Sequence, residues 1–212
     1  RDGRAISADG PMNLLSSVTV AVSEDARGRG TMIVLNDRIG SARFMSKSNA
    51  NQLDAFQSSD GGFLGSFINI QPIFYYPPSR PLGHHYFDVG RIRRCRGEDV
   101  KLPQVEVLYA HQDFNIGRFQ AAIDLGAKGI VLAGFGAGYW TDSGSMEIRC
   151  ALQDTDIPVI MSRRTGWGFA SNNGVEGGIG AGFLNPHKAR IQLQLALGTG
   201  LQTEAIRPIF EH

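Results

Sequence analysis

The sequence predicts an α/β fold in two parts: the remainder of a large mixed-sheet domain, followed by a small parallel-sheet α/β domain. Three observations carry this expectation. Short apolar runs separated by turn residues fill residues 31–76. Strand and helix signals alternate from Val105 to Met161. Between them, Pro77 to Pro103 is rich in Pro, Gly, Arg and His and shows no sustained periodicity, which marks a linker. Strands alternating with helices over so short a span imply βαβ units with right-handed crossovers. The expected boundaries are therefore 1–76 for the first domain, 77–103 for the linker and 104–212 for the second domain.

In chain order, Ser7-Ala8-Asp9-Gly10-Pro11 is a helix start, with Pro11 suited to the first helical position. Met12, Leu15, Val18 and Val22 recur at helical spacing, which predicts one buried face. Arg27-Gly28-Arg29-Gly30 ends the helix. Met32 to Leu35 reads as a strand, Asn36-Asp37 as a turn and Ser41 to Phe44 as a second strand. Ser46-Lys47-Ser48-Asn49 then reads as a polar loop, in which hydroxyls and amides could hold a lysine for proton transfer. Phe63 to Tyr76 is a hairpin turning near Asn69. In the second part, Val105–Tyr109, Gly129–Ala133 and Ile157–Met161 are strands, with helices over Ile116–Leu125 and Glu147–Gln153. Helices over 186–197 and 203–210 close the chain.

With 212 residues, 42% of them hydrophobic, the chain can bury a substantial core. Its 21 basic and 20 acidic side chains give a net charge of +1, so there is no electrostatic footprint for nucleic acid. The Arg91–Arg96 cluster reads as a solvated linker. No apolar run approaches the roughly 20 residues that span a bilayer. Two cysteines, Cys95 and Cys150, permit one disulfide without requiring it.

Several constellations suggest other chemistry and fail on spacing. Gly134-Phe135-Gly136-Ala137-Gly138 follows a strand, and Asp154 lies downstream, as in a dinucleotide fingerprint. The third fingerprint glycine is replaced by Thr141, and the acid precedes the next strand instead of ending it. A tight turn at the carboxyl end of a parallel strand is the better reading. His84 and His85 are adjacent, so in an extended chain they face opposite sides and cannot share a metal. Cys95 and Cys150 have no further ligand at zinc spacing. Trp140 and Trp167, both near glycines, read as packing or interface anchors.

Five segments occur in one order and spacing: Ser7-Ala8-Asp9-Gly10-Pro11-Met12-Asn13-Leu14, Val34-Leu35-Asn36-Asp37, Ser46-Lys47-Ser48-Asn49, Gly129-Ile130-Val131 with Gly134 to Gly138, and Leu184-Asn185-Pro186-His187-Lys188-Ala189-Arg190. Together they resemble the bacterial-type (type II) L-asparaginases, with loops that point to a fungal member. The resemblance covers nearly the whole chain. It implies an amidohydrolase that converts L-asparagine, with L-glutamine as a second candidate substrate, to the acid and ammonia, without metal or cofactor. It also implies a homotetramer built from dimers and a secreted or periplasmic compartment. Active sites would lie between the larger domain of one subunit and the small domain of its neighbour.

By that resemblance Lys47 is the lysine of the proton-handling set, which keeps a hydroxyl and a carboxylate in register. Gly134 to Gly138 with Tyr139 match the loop that reaches the neighbour's pocket. Tyr139 stands where relatives carry Asn or Ser on the substrate amine, a departure from the pattern. Glu176 is the candidate for the acidic residue given across the interface. The largest departure is an absence: neither the threonine-glycine-glycine-threonine nor the glycine-threonine-aspartate-threonine motif of the family occurs in these residues. The chain therefore reads as lacking the family's amino-terminal third, with both threonines and the paired aspartate. The first helix and strand are expected to show apolar surface without a partner. The alternative is a non-catalytic module that keeps the family's oligomer surfaces or weak amino-acid binding; a nicotinamide oxidoreductase is a distant third.

Overall fold

The computed structural model describes all residues except 1, 84, 91, 93–100, 154, 173–174 and 211–212. The readings that rest on His84, Cys95, most of the Arg91–Arg96 cluster and Asp154 lie outside the described residues. The chain divides into two compact units, Arg1–Leu82 and Gly83–His212.

The first unit opens with α1, Gly10–Val22. Strands β1 (Met32–Leu35), β2 (Arg38–Ser41), β5 (Phe63–Ile68) and β6 (Gln71–Phe74) form a four-stranded sheet in the order β1-β2-β5-β6, every pairing antiparallel. Strands β3 (Met45–Lys47) and β4 (Phe56–Ser58) make a separate antiparallel ribbon. The β1–β2 turn is Asn36-Asp37, with φ of 53° and 56°. Two central residues of positive φ make the mirror-image turn that matches strand twist, and Asn and Asp tolerate it best after glycine. The predicted hairpin at Asn69 is likewise present, as β5 and β6.

Three expectations for this unit are corrected. Ser41 to Phe44 is no strand: Phe44 N–H donates to Ser41 O at 3.0 Å, and the chain reverses so that Met45 packs on Gly40. Lys47 consequently ends a strand instead of sitting in a loop. The helical face expected to be buried is open: Met12, Leu15, Val18 and Val22 are 53% to 76% exposed, whereas Ser16 and Val20 are the buried positions of α1. Periodicity shows which face is apolar and not what covers it; α1 has the outward apolar surface anticipated from the resemblance, whereas every residue of β1 is half-buried.

Arg29 is buried, and among the described residues no carboxylate pairs with it. Its guanidinium donates to Asp25 O (2.7 Å), Tyr76 O (2.8 Å) and Pro77 O (3.2 Å), and lies 4.0 Å from the centre of the Phe74 ring. The cation thereby fastens the end of β6 to the chain that follows α1.

The second unit holds β7 (Val105–Tyr109), α2 (Gly117–Asp124), β8 (Gly129–Gly134), α3 (Asp142–Gln153), β9 (Val159–Arg163), β10 (Ile179–Gly180), α4 (Pro186–Gly198) and α5 (Thr203–Phe210). The strands form one parallel sheet, β10-β9-β8-β7, as the alternation predicted. Both faces are covered. Ile130, Leu132, Val159 and Met161 point into a core with Phe119, Ala122 and Ile148, while Val131 and Ile160 point into another with Leu193, Ala196 and Phe210. Strands buried on both sides read as continuous apolar runs, and Gly129–Gly134 is buried at every residue. Helix α3 begins five residues before the predicted start, because Thr141 Oγ1 accepts the Gly144 N–H at 3.2 Å and caps it.

Candidate functional site

Lys47 is carried on the β3–β4 ribbon, opposite Phe56 in the register. The ribbon is closed by Ser48, whose N–H and Oγ donate to Ala55 O at 2.7 and 3.1 Å. A polar chain ties it to the main sheet. Asp54, in the β3–β4 loop, pairs with Arg38 of β2 at 2.8 Å and accepts from Asn36 Nδ2 at 3.3 Å. Arg38 also donates to Gln57 Oε1 of β4 at 3.2 Å. Asn36 N–H in turn donates to Asn13 Oδ1 of α1 at 3.0 Å, and Asn13 Nδ2 donates to Asp9 at 3.0 Å. Asn13, Asn36 and Asp9, part of the pattern that first suggested the resemblance, thus link α1 and the β1–β2 turn to the β3–β4 loop. The Lys47 side chain itself is exposed, and no described residue accepts a hydrogen bond from its ammonium. The hydroxyls and amides around it hold the backbone and not the lysine.

Tyr139 belongs to the second unit. The glycine-rich segment is the predicted tight turn: Phe135 N–H donates to Tyr139 O at 2.7 Å and Tyr139 N–H returns to Phe135 O at 2.8 Å. A Cβ on Gly134 would fall 2.3 Å from Gly138 O, so the turn closes only with glycine there. Arg164 donates to Ala110 O at 3.0 Å and lies 4.3 Å from the centre of the Phe135 ring. Thr165 Oγ1 is 3.1 Å from Gly136 O and 3.2 Å from Trp167 O, linking this turn to the one that follows β9. Tyr139 and Trp167 are both more than half exposed at this end of the unit. Glu176 lines a cavity of about 240 Å³ with Arg149, Leu152 and Gln153.

Sequence reasoning missed a larger hollow of about 410 Å³ beside the Phe135 turn, lined by His111, Asp113, Phe114, Trp140, Ser143 and Glu147 among others. The one available signal was the Thr141 cap, which places the first turn of α3 next to the end of β8. Among the described residues, no group of three or more His, Cys, Asp or Glu is arranged to hold a metal. Cys150 is an exposed free thiol.

Comparison with known proteins adds the following. The profile described as "Asparaginase, N-terminal" matches residues 1–80, and the "Glutaminase/Asparaginase C-terminal domain" matches residues 104–210. "Probable L-asparaginase 3" of Schizosaccharomyces pombe is 48% identical over 210 residues, 99% of this chain and 56% of that protein. "L-asparaginase 2-3" of Saccharomyces cerevisiae is 46% identical over 212 residues, 99% of this chain and 58% of that protein. The crystal structure of a probable cytoplasmic L-asparaginase from Campylobacter jejuni superposes with a TM-score of 0.83 at 33% identity, covering 99% of this chain and 66% of that one. The chain thus spans a little over half the length of the curated relatives it matches.

Proposed function

We propose an L-asparaginase function on the premise that the chain belongs to the glutaminase/asparaginase family, whose two domain profiles it matches in order. The reaction is hydrolysis of the side-chain amide of L-asparagine, or of L-glutamine as the second candidate, to the acid and ammonia. The observation that carries this reading is 48% identity, over 99% of the chain, to the S. pombe protein named probable L-asparaginase 3. Lys47 takes the proton-handling role and Tyr139 the contact with the substrate amine. The polar chain from Asn13 to Asp54 supports the first role, since it holds the ribbon that presents Lys47. The exposed turn held by Gly134 and Thr165 supports the second.

No family threonine motif occurs in the 212 residues, so the attacking hydroxyl has to come from sequence outside them. That absence favours a second reading for these residues alone, a non-catalytic asparaginase-like module. Ammonia release from L-asparagine, measured with intact mass on one sample, separates the two. Under the first reading, a protein that includes the threonine motifs releases ammonia. In it Lys47→Ala lowers kcat by at least about 100-fold, the scale of a lost acid–base group, with KM changed much less. The 212-residue chain, of 23.0 kDa, releases none. Unchanged turnover in Lys47→Ala would sink the assigned role; a threonine-bearing protein that releases no ammonia from either amide would sink the function.

A homotetramer built from dimers is the assembly this reading expects, and the exposed apolar face of α1 and the exposed Tyr139 and Trp167 are surfaces compatible with it. Sedimentation of the active protein as four copies is the expected result. The secreted or periplasmic compartment gains no support from the comparisons, where the C. jejuni protein is named cytoplasmic. No described helix is long and apolar enough to cross a membrane.

A further inference from the structure

The β3–β4 ribbon is fastened to the main sheet near both of its ends, and the two fastenings differ in kind. At the end where the chain enters and leaves, the fastening is apolar: Met45 is buried, and a Cβ on Gly40 of β2 would fall 2.3 Å from its Sδ. Ser59 closes the same end, its N–H and Oγ each lying 3.2 Å from Phe44 O. Lys47 stands two residues further along β3, on the rung that it shares with Phe56. Its side chain is exposed, so the place of its ammonium is set by where this far end of the ribbon lies.

The far end is held by a closed ring of polar contacts around Arg38 of β2. The guanidinium pairs with Asp54 at 2.8 Å and donates to Gln57 Oε1 at 3.2 Å, and Gln57 Nε2 donates to Asp54 O at 3.1 Å, which completes the ring. Gln57 pairs with Ser46 on the rung beside Lys47–Phe56, and Asp54 precedes Phe56 by two residues. Arg38 is itself fixed from the other side. It pairs with Ser66 of β5 in the register, and its guanidinium carbon lies 4.9 Å from the centre of the Phe63 ring on the same strand. A planar fork can serve Asp54 and Gln57 in one geometry, which the point charge of a lysine cannot do. The Arg38 and Asp54 side chains are 34% and 46% exposed, and ion pairs so open to water add little to stability. What this pair governs is register.

We infer that Arg38 is a positioning residue for Lys47, acting through Asp54 and Gln57 on the rung that carries the lysine. Without the guanidinium that rung loses its ion pair and its Gln57 contact to β2, and small displacements of a reacting group cost rate steeply. The inference rests on the proton-handling role proposed for Lys47.

The test uses a protein that includes the threonine motifs, with L-asparagine as substrate. Arg38→Met is expected to lower kcat by about 10- to 100-fold, the scale of a displacement of about 1 Å, with KM nearly unchanged. Arg38→Lys, which keeps the charge and loses the fork, should fall between the two. Asp54→Asn breaks the same pair from the ribbon side and stands in if Arg38→Met fails to fold. The deciding variant is Arg38→Met in a Lys47→Ala background. A residue that acts through Lys47 has nothing left to position there, so kcat should fall no further than in Lys47→Ala alone. A fall of equal size in both backgrounds would mark a general effect on the fold and overturn the inference, as would unchanged kcat in Arg38→Met. The two possible failures are separable. Turnover that survives Lys47→Ala removes the role of the lysine itself, whereas a large loss in Lys47→Ala beside an inert Arg38→Met removes the positioning alone.

Discussion

Asn69 and Ile70 turn the β5–β6 hairpin with φ of 51° and 64°. Asparagine accepts the left-handed region readily, but a β-branched residue there is a genuine outlier. The conformation costs an L-residue about 1–2 kcal/mol, and Ile70 offsets little of it by packing, being 66% exposed. Ile70→Gly is therefore expected to stabilise the first unit by about 1 kcal/mol, after allowance for the greater freedom of glycine in the unfolded chain. Urea unfolding with an unchanged slope and a higher midpoint is the supporting result; a lower midpoint would show that Ile70 packs on something outside this chain. Gly134 poses the opposite case. Its neighbour is backbone, Gly138 O at 2.3 Å from an added Cβ, and backbone has no rotamer by which to retreat. Gly134→Ala should open the Phe135–Tyr139 turn at a cost of about 1–3 kcal/mol. Loss of amide-exchange protection at Phe135 and Tyr139, with β7 unaffected, is the expected signature.

Among the elements, α1 shows how a correct pattern can predict the wrong environment. Its apolar stripe is real, and in these 212 residues it faces outward while Ser16 and Val20 face the protein. An exposed patch of this kind marks a surface that something else covers. Replacing Leu14, Val18 and Val22 with Gln should change the stability of the chain by no more than about 0.5 kcal/mol per site, as for ordinary surface positions. The same variant should bind less of an apolar dye. A large loss of stability would mean that the stripe is already buried in solution, by a second copy for instance. The β3–β4 ribbon carries the complementary lesson. Asn36, Asp37 and Lys47 were conspicuous in the sequence, but Asp54, Arg38 and Gln57, which hold the ribbon to the sheet, were not. Their roles depend on partners up to 19 residues away, and no local pattern encodes such a pairing.

For the molecule as a whole, the two units differ in how completely their apolar faces are covered. The parallel sheet of the second unit is sandwiched between two cores, and Leu193 on α4 is fully buried in one of them beside Val131 and Ile160. Leu193→Ala is expected to cost about 2–5 kcal/mol, the range for a large aliphatic side chain removed from a close-packed core. Hydrogen exchange of the β7, β8 and β9 amides reads this loss directly. If their protection is unchanged, α4 does not support the sheet as described. The first unit keeps its apolar helix face outward, and it also carries Lys47. The proposed catalytic lysine is thus presented by the less completely covered half of the chain.

The sequence by itself determined the α/β class, the parallel sheet, the hairpin at Asn69, the tight glycine turn after β8 and the family. Each rests on local chemistry or on residue order: period-two and continuous apolar runs, turn residues that tolerate positive φ, and motifs in fixed succession. Tertiary structure decided the rest. It placed Lys47 at the end of a strand, turned the stripe of α1 to solvent, set Glu176 beside Arg149 and Leu152, and gathered His111, Asp113, Trp140 and Glu147 around one hollow. Burial, pairing and cavities arise from segments distant in the chain, and the free energy that sets them belongs to the contact and not to either residue alone.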